Sequence, residues 1–162
     1  MRQYAVTAPL GISAAVMLCA MLSGGAAAAM GNAPRTPLVS VQDQEAMVSP
    51  ALLGVGSVFM KIANAGRAGD VLLGARVSIP GTVVEIHDVR DGKMVRIEKL
   101  SIPSRGAVEL KPNGLHIMIF KMPRSMKPGR QFTLFLTFEK SGEKQVPVTF
   151  SRPGAQHARH NH

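Results

Sequence analysis

Residues 82–100, TVVEIHDVRDGKMVRIEKL, carry two β-like runs on either side of Asp91-Gly92. Asp-Gly between such runs signals a two-residue hairpin turn, because both turn residues must tolerate a positive φ. Closing that turn pairs Arg90 with Lys93, Val89 with Met94 and His87 with Arg96. Opposed side chains of antiparallel strands share a face, so His87 and Met94 are expected on one face, diagonally related.

Outward from this hairpin the chain keeps the same rhythm. Further β-like runs are Leu38 to Met47, Gly56 to Ala63, Asp70 to Ser78, Gly106 to Leu110, Leu115 to Lys121, Gln131 to Glu139 and Lys144 to Phe150, beside Thr82 to Val89 and Lys93 to Leu100. Turn residues separate them at Asn64-Ala65-Gly66, Pro112-Asn113-Gly114, Pro128-Gly129 and Ser141-Gly142. No stretch has sustained helical periodicity and no segment repeats. The expectation is an all-β sandwich or barrel over residues 38–150.

The flanks read differently. Arg2, the apolar run from Pro9 to Leu22 and the small residues Ala27-Ala28-Ala29 form an export signal over residues 1–29, expected to be cleaved near Ala29. Its apolar run falls short of the about 20 residues that span a bilayer. Leu18 precedes Cys19 where lipid attachment wants a small residue, so lipidation is not expected. Residues 30–37, MGNAPRTP, read as a flexible leader. Residues 151–162, SRPGAQHARHNH, offer nothing to bury and are expected to be disordered. That tail holds His157, His160 and His162, three of the chain's five histidines, and is a candidate secondary collector of copper(II).

Composition narrows the function. The chain has a net charge of +9, but its cations are dispersed and it has only six Phe, one Tyr and no Trp. Nucleic-acid binding favours clustered Lys and Arg with exposed aromatics for stacking, so it is not expected. The one cysteine leaves with the signal, which removes disulfides, blue-copper electron transfer and thiol catalysis. A histidine-brace oxygenase is disfavoured because the predicted mature terminus is Met30. There is neither a G-x-S-x-G elbow nor an H-E-x-x-H motif, so an enzyme is not expected.

Metal-binding chemistry is what remains. In the strand His116-Ile117-Met118 the first and third side chains project together while Ile117 turns to the core. If the hairpin end lies against the start of this strand, His87, Met94, His116 and Met118 surround one cavity. These donors are uncharged imidazoles and thioethers. Such a set suits copper(I), whereas zinc usually draws anionic thiolate or carboxylate ligands. Met122 and Met126, flanking Pro123, are candidates for the rim. The competing reading is a metal-free secreted interaction domain in which these four residues only pack.

The run Glu85-Ile86-His87, then Lys93-Met94, Ile102-Pro103, Val108 to Met118 (VELKPNGLHIM) and Leu136 to Gly142 (LTFEKSG) resembles the periplasmic copper chaperone family PCu(A)C over residues 38–150. The Met-x21-His-x-Met half of that family's signature is intact, from Met94 to Met118. The other half is shortened by an even number of residues: the family usually has a methionine beside the first histidine, where this chain has Asp88. The resemblance implies a cupredoxin-like, Greek-key β-sandwich that binds copper(I) in the periplasm. It further implies delivery to the copper subunit of cytochrome c oxidase, to a Sco-type protein, or to both, with membrane association only through such partners.

Overall fold

A computed structural model describes residues 35–151. The expected signal, the leader up to residue 34 and the tail residues His157, His160 and His162 lie outside the described residues. Ten strands follow in chain order: β1 (Val39–Val48), β2 (Gly56–Asn64), β3 (Asp70–Val77), β4 (Val83–Arg90), β5 (Lys93–Ile97), β6 (Leu100–Ile102), β7 (Gly106–Leu110), β8 (His116–Phe120), β9 (Gln131–Phe138) and β10 (Gly142–Ser151). Among the described residues there is no helix.

The strands hydrogen-bond in the order β5-β4-β8-β2-β1-β10-β9-β3-β6, with β7 also on β2. Two layers result. One holds β5, β4, β8, β7, β2 and β1, the other β10, β9, β3 and β6. They join where β1 runs parallel to β10 at Ala46 and Met47. Asp43, at φ 53°, sits at the register shift between Gln42 and Glu45, and this bulge bends β1 between the layers.

Alternation along the strands fills the space between the layers. Val58, Met60 and Ile62 of β2, Ile117 and Ile119 of β8, Leu134 and Leu136 of β9 and Phe150 of β10 belong to one buried cluster. Each fully buried aliphatic side chain contributes about 1.5–3 kcal/mol relative to exposure.

Nine runs expected from sequence become ten strands because Lys93–Leu100 is not continuous. Glu98 and Lys99 break it, and the chain crosses layers: β5 pairs with β4, whereas β6 pairs with β3. The Asp91-Gly92 turn forms as read, with φ 51° and 72° at its two residues, and pairs Arg90 with Lys93, Val89 with Met94 and His87 with Arg96. A second device matters for the site. β7 and β8 lie end to end along β2, interrupted by Lys111–Leu115, whose excursion closes on itself through Lys111 N to Leu115 O at 2.7 Å. Asn113, at φ 60°, takes the left-handed corner, and the chain re-enters the sheet at His116.

Candidate metal centre

Strand parity places the histidines. His87 of β4 is directly opposite His116 of β8, and the ring centroids are 6.1 Å apart. Met118 lies two residues beyond His116, between Glu85 of β4 and Ser57 of β2. The intervening Ile117 is fully buried in the core. His87, His116 and Met118 therefore stand together on the outward face of their layer. This face is nevertheless covered: His116 and Met118 are each 6% exposed, and the His87 side chain 12%. Phe59 stands 6.4 Å from His116, and Phe120 6.0 Å from His87, centroid to centroid.

Hydrogen bonds decide which ring nitrogens are free. His116 Nδ1 is 2.7 Å from the Gly114 carbonyl. A carbonyl only accepts, so Nδ1 carries the proton and the lone pair of the neutral ring sits on Nε2. His87 Nε2 is 2.9 Å from Glu85 Oε2, while the other carboxylate oxygen, Oε1, is 3.2 Å from Arg96 Nη1. The His87 hydrogen bond, with the Arg96 charge in support, holds the Glu85 carboxyl below its ordinary value. An ionised carboxylate only accepts, so the neutral His87 ring keeps its lone pair on Nδ1. That nitrogen is buried and has no partner. An orphaned imidazole nitrogen on a ring 6.1 Å from a second histidine, each ring fixed from behind by an acceptor, suits metal ligation.

Met94 is placed differently. It shares the face of His87, as the hairpin register requires, but β4 separates β5 from β8, so the hairpin meets His116 through His87 and not through Met94. Counting strand spacings of about 4.8 Å and rises of about 3.3 Å puts the Cα of Met94 roughly 12 Å from that of His116 and roughly 16 Å from that of Met118. Met94 is 55% exposed. The structure thus gathers His87, His116 and Met118 and leaves Met94 at the edge, diagonal to His87. The expectation that all four surround one cavity is corrected: the two-residue turn fixes Met94 on the rung of Val89.

Met122 and Met126 do not rim the site either. Met122 is buried in the core cluster and Met126 packs against it. Sequence reading passed over Glu85, although strand parity two residues before His87 puts it on the same face. Among the described residues no three His, Cys, Asp or Glu side chains group as a metal site.

The fold is that of the PCuAC domains. The apo PCuAC domain of PmoF1 aligns at a TM-score of 0.62 and 21% identity, over 71% of this chain and 94% of that one. A copper-bound PCuAC domain from PmoF2 aligns at 0.60 and 18%, over 71% and 93%. The CuI form of DR1885 from Deinococcus radiodurans aligns at 0.58 and 21%, over 70% and 80%. The particular family follows from sequence: the description "Putative lipoprotein LpqE-like" matches residues 39–150, and the chain belongs to this LpqE-like family. No curated protein matches the chain.

Proposed function

We propose that this protein is a copper(I) carrier that acts after export, in the periplasm, and releases its cargo by ligand exchange. The ion is held by Nδ1 of His87, Nε2 of His116 and the sulfur of Met118. Met94 serves as an exposed thioether through which the ion enters and leaves. The observation that carries this reading is the cross-strand His87–His116 pair, with an unpartnered buried nitrogen on His87 and with Met118 on the same face.

The donor set is uncharged, since both oxygens of Glu85 are already engaged by His87 and Arg96. It favours copper(I) over zinc, and it exchanges more readily than thiolate ligands would. The fold is shared with domains solved with copper bound, which supports the same cargo. The acceptor we infer is a copper protein with better donors, the copper subunit of cytochrome c oxidase or a Sco-type protein. The chain is a carrier and performs no chemistry on a substrate.

The test is titration of the purified protein with copper(I) against a colorimetric chelator. One equivalent is expected in the wild type and in a chain ended at Ser151, and none at comparable affinity in His116→Ala/Met118→Ala. Unchanged stoichiometry in that double variant would assign the copper to the tail histidines or to adventitious binding. No binding by any form would favour the metal-free interaction domain.

A further inference from the structure

One pole of the sandwich is built from the β1–β2 loop (49–55), the β3–β4 loop (78–82) and the β8–β9 loop (121–130). The first and last of these run side by side, Met122 N donating to Gly54 O at 2.9 Å. Phe150 ties the far end of the β8–β9 loop to β10, through Gly129 N to Phe150 O at 2.7 Å and Phe150 N to Arg130 O at 2.9 Å.

The three loops contain no Asp or Glu, and the β8–β9 loop, KMPRSMKPGR, supplies Lys121, Arg124, Lys127 and Arg130. All four are exposed, and among the described residues none is ion-paired. Met122 and Met126 point the other way, into the core, and so anchor the loop that displays the charges. Beside them, Leu52 is 56% and Leu53 76% exposed, the latter the most exposed large apolar residue described.

We propose that this pole docks the protein onto the surface of an anionic lipid bilayer, with Leu52 and Leu53 entering the headgroup boundary and the four cations lying over lipid phosphates. Cations without interspersed acids, next to protruding leucines, are what an interfacial anchor needs. Each basic side chain near an anionic leaflet strengthens binding roughly fivefold, so four together account for up to about three orders of magnitude. A bilayer accepts leucines on a protruding loop without a matching pocket, which an acidic protein partner would have to provide. The consequence is positional. Lys121 directly follows Phe120, and the His87–His116 rung lies four residues, about 13 Å, further along β4 and β8, so docking sets the candidate ion site at that height above the membrane surface. The inference stands independently of whether copper binds.

Sedimentation of the full chain with phosphatidylglycerol/phosphatidylcholine vesicles tests it, against pure phosphatidylcholine. The apolar N-terminal segment is common to every variant, so differences between variants report the pole alone. Lys121→Gln/Arg124→Gln/Lys127→Gln/Arg130→Gln is expected to weaken binding to acidic vesicles at least a hundredfold. Leu52→Ser/Leu53→Ser should weaken it about tenfold, with the loss persisting at high salt. Arg67→Gln/Arg105→Gln, two exposed cations outside these loops, should leave binding within about threefold of wild type. Equal binding by the quadruple variant and the wild type, or equal loss in the Arg67/Arg105 control, overturns the proposal. So does a wild type that ignores acidic vesicles yet binds an acidic protein through the same residues.

Discussion

Replacing Glu85 with alanine removes the acceptor that holds the His87 ring from behind without touching any proposed copper donor. The carboxylate oxygen is 2.9 Å from His87 Nε2, and its partner oxygen is braced by Arg96 at 3.2 Å. With that support gone the ring rotates more freely, and the position of Nδ1 is no longer fixed. Loss of such an outer partner of a metal-binding histidine typically costs about 10–100-fold in affinity. The expected result is a fall of that size for copper(I) in Glu85→Ala. A much smaller fall is expected in Glu85→Gln, whose amide oxygen still accepts from Nε2.

Chelator competition reads the affinity, and proton NMR of the apoprotein reads the cause. The His87 Nε2 proton should be shifted downfield and slow to exchange in the wild type and in Glu85→Gln, and absent from that position in Glu85→Ala. The sign is what makes the test sharp. If copper instead took Nε2, removing Glu85 would free that nitrogen and tighten binding. Unchanged or tighter binding by Glu85→Ala would therefore refute the assignment of Nδ1.

Three other outcomes follow from the coordinates. Met94→Leu should change copper(I) affinity by less than about threefold while slowing transfer to a chelator in stopped-flow mixing, whereas Met118→Leu should lose affinity outright; equal losses would place Met94 among the resident ligands. Ile117→Ala, which empties a fully buried site directly behind the two donors of β8, should cost about 2–5 kcal/mol in urea unfolding. Asp70 is buried, which by itself works against its charge, but hydrogen bonds from the Ser141-Lys140 turn and from Val71 outweigh this and hold its pKa below the ordinary value. A lowered folded-state pKa gives stability that is complete above the unfolded value and disappears as pH falls through the folded one. The stability gap between wild type and Asp70→Asn should thus be constant above about pH 5 and shrink below about pH 4; a gap that ignores pH would show that the charge contributes nothing.

What the sequence makes legible here is local. Asp91-Gly92 specifies its own turn, and the turn specifies which residues of β4 and β5 face one another; the period of two then turns His116 and Met118 outward and Ile117 inward. The order of the strands is another matter, because it depends on pairings between segments far apart in the chain. Nothing near Met94 says that β4, and not β5, will lie against β8. Nothing in the apolar run after Lys93 marks the crossing at Glu98-Lys99 except two charges, which an exposed strand would tolerate equally well. Met122 and Met126 look like surface thioethers beside a proline, yet Met122 is core and Met126 packs half-buried against it, since burial of a loop methionine is set by what lies under the loop. Glu85 was within reach: a carboxylate two residues from a histidine in a strand is on its face by parity alone.

The shortened hairpin has a chemical consequence of its own. A two-residue turn leaves no slack for the arm to fold over the histidine pair, so the fourth thioether stays on the solvent side of His87 while three donors sit under cover. As proposed, three soft, neutral donors would satisfy copper(I) without enclosing it, and the exposed Met94 marks the open side. On that proposal an acceptor would meet the ion along the same path by which it entered, and transfer would need no unfolding of the sheet. A longer, methionine-bearing arm would close that direction and trade exchange rate for affinity. In this chain the turn chemistry of Asp91-Gly92, which fixes Met94 on the rung of Val89, is what would keep the proposed site open.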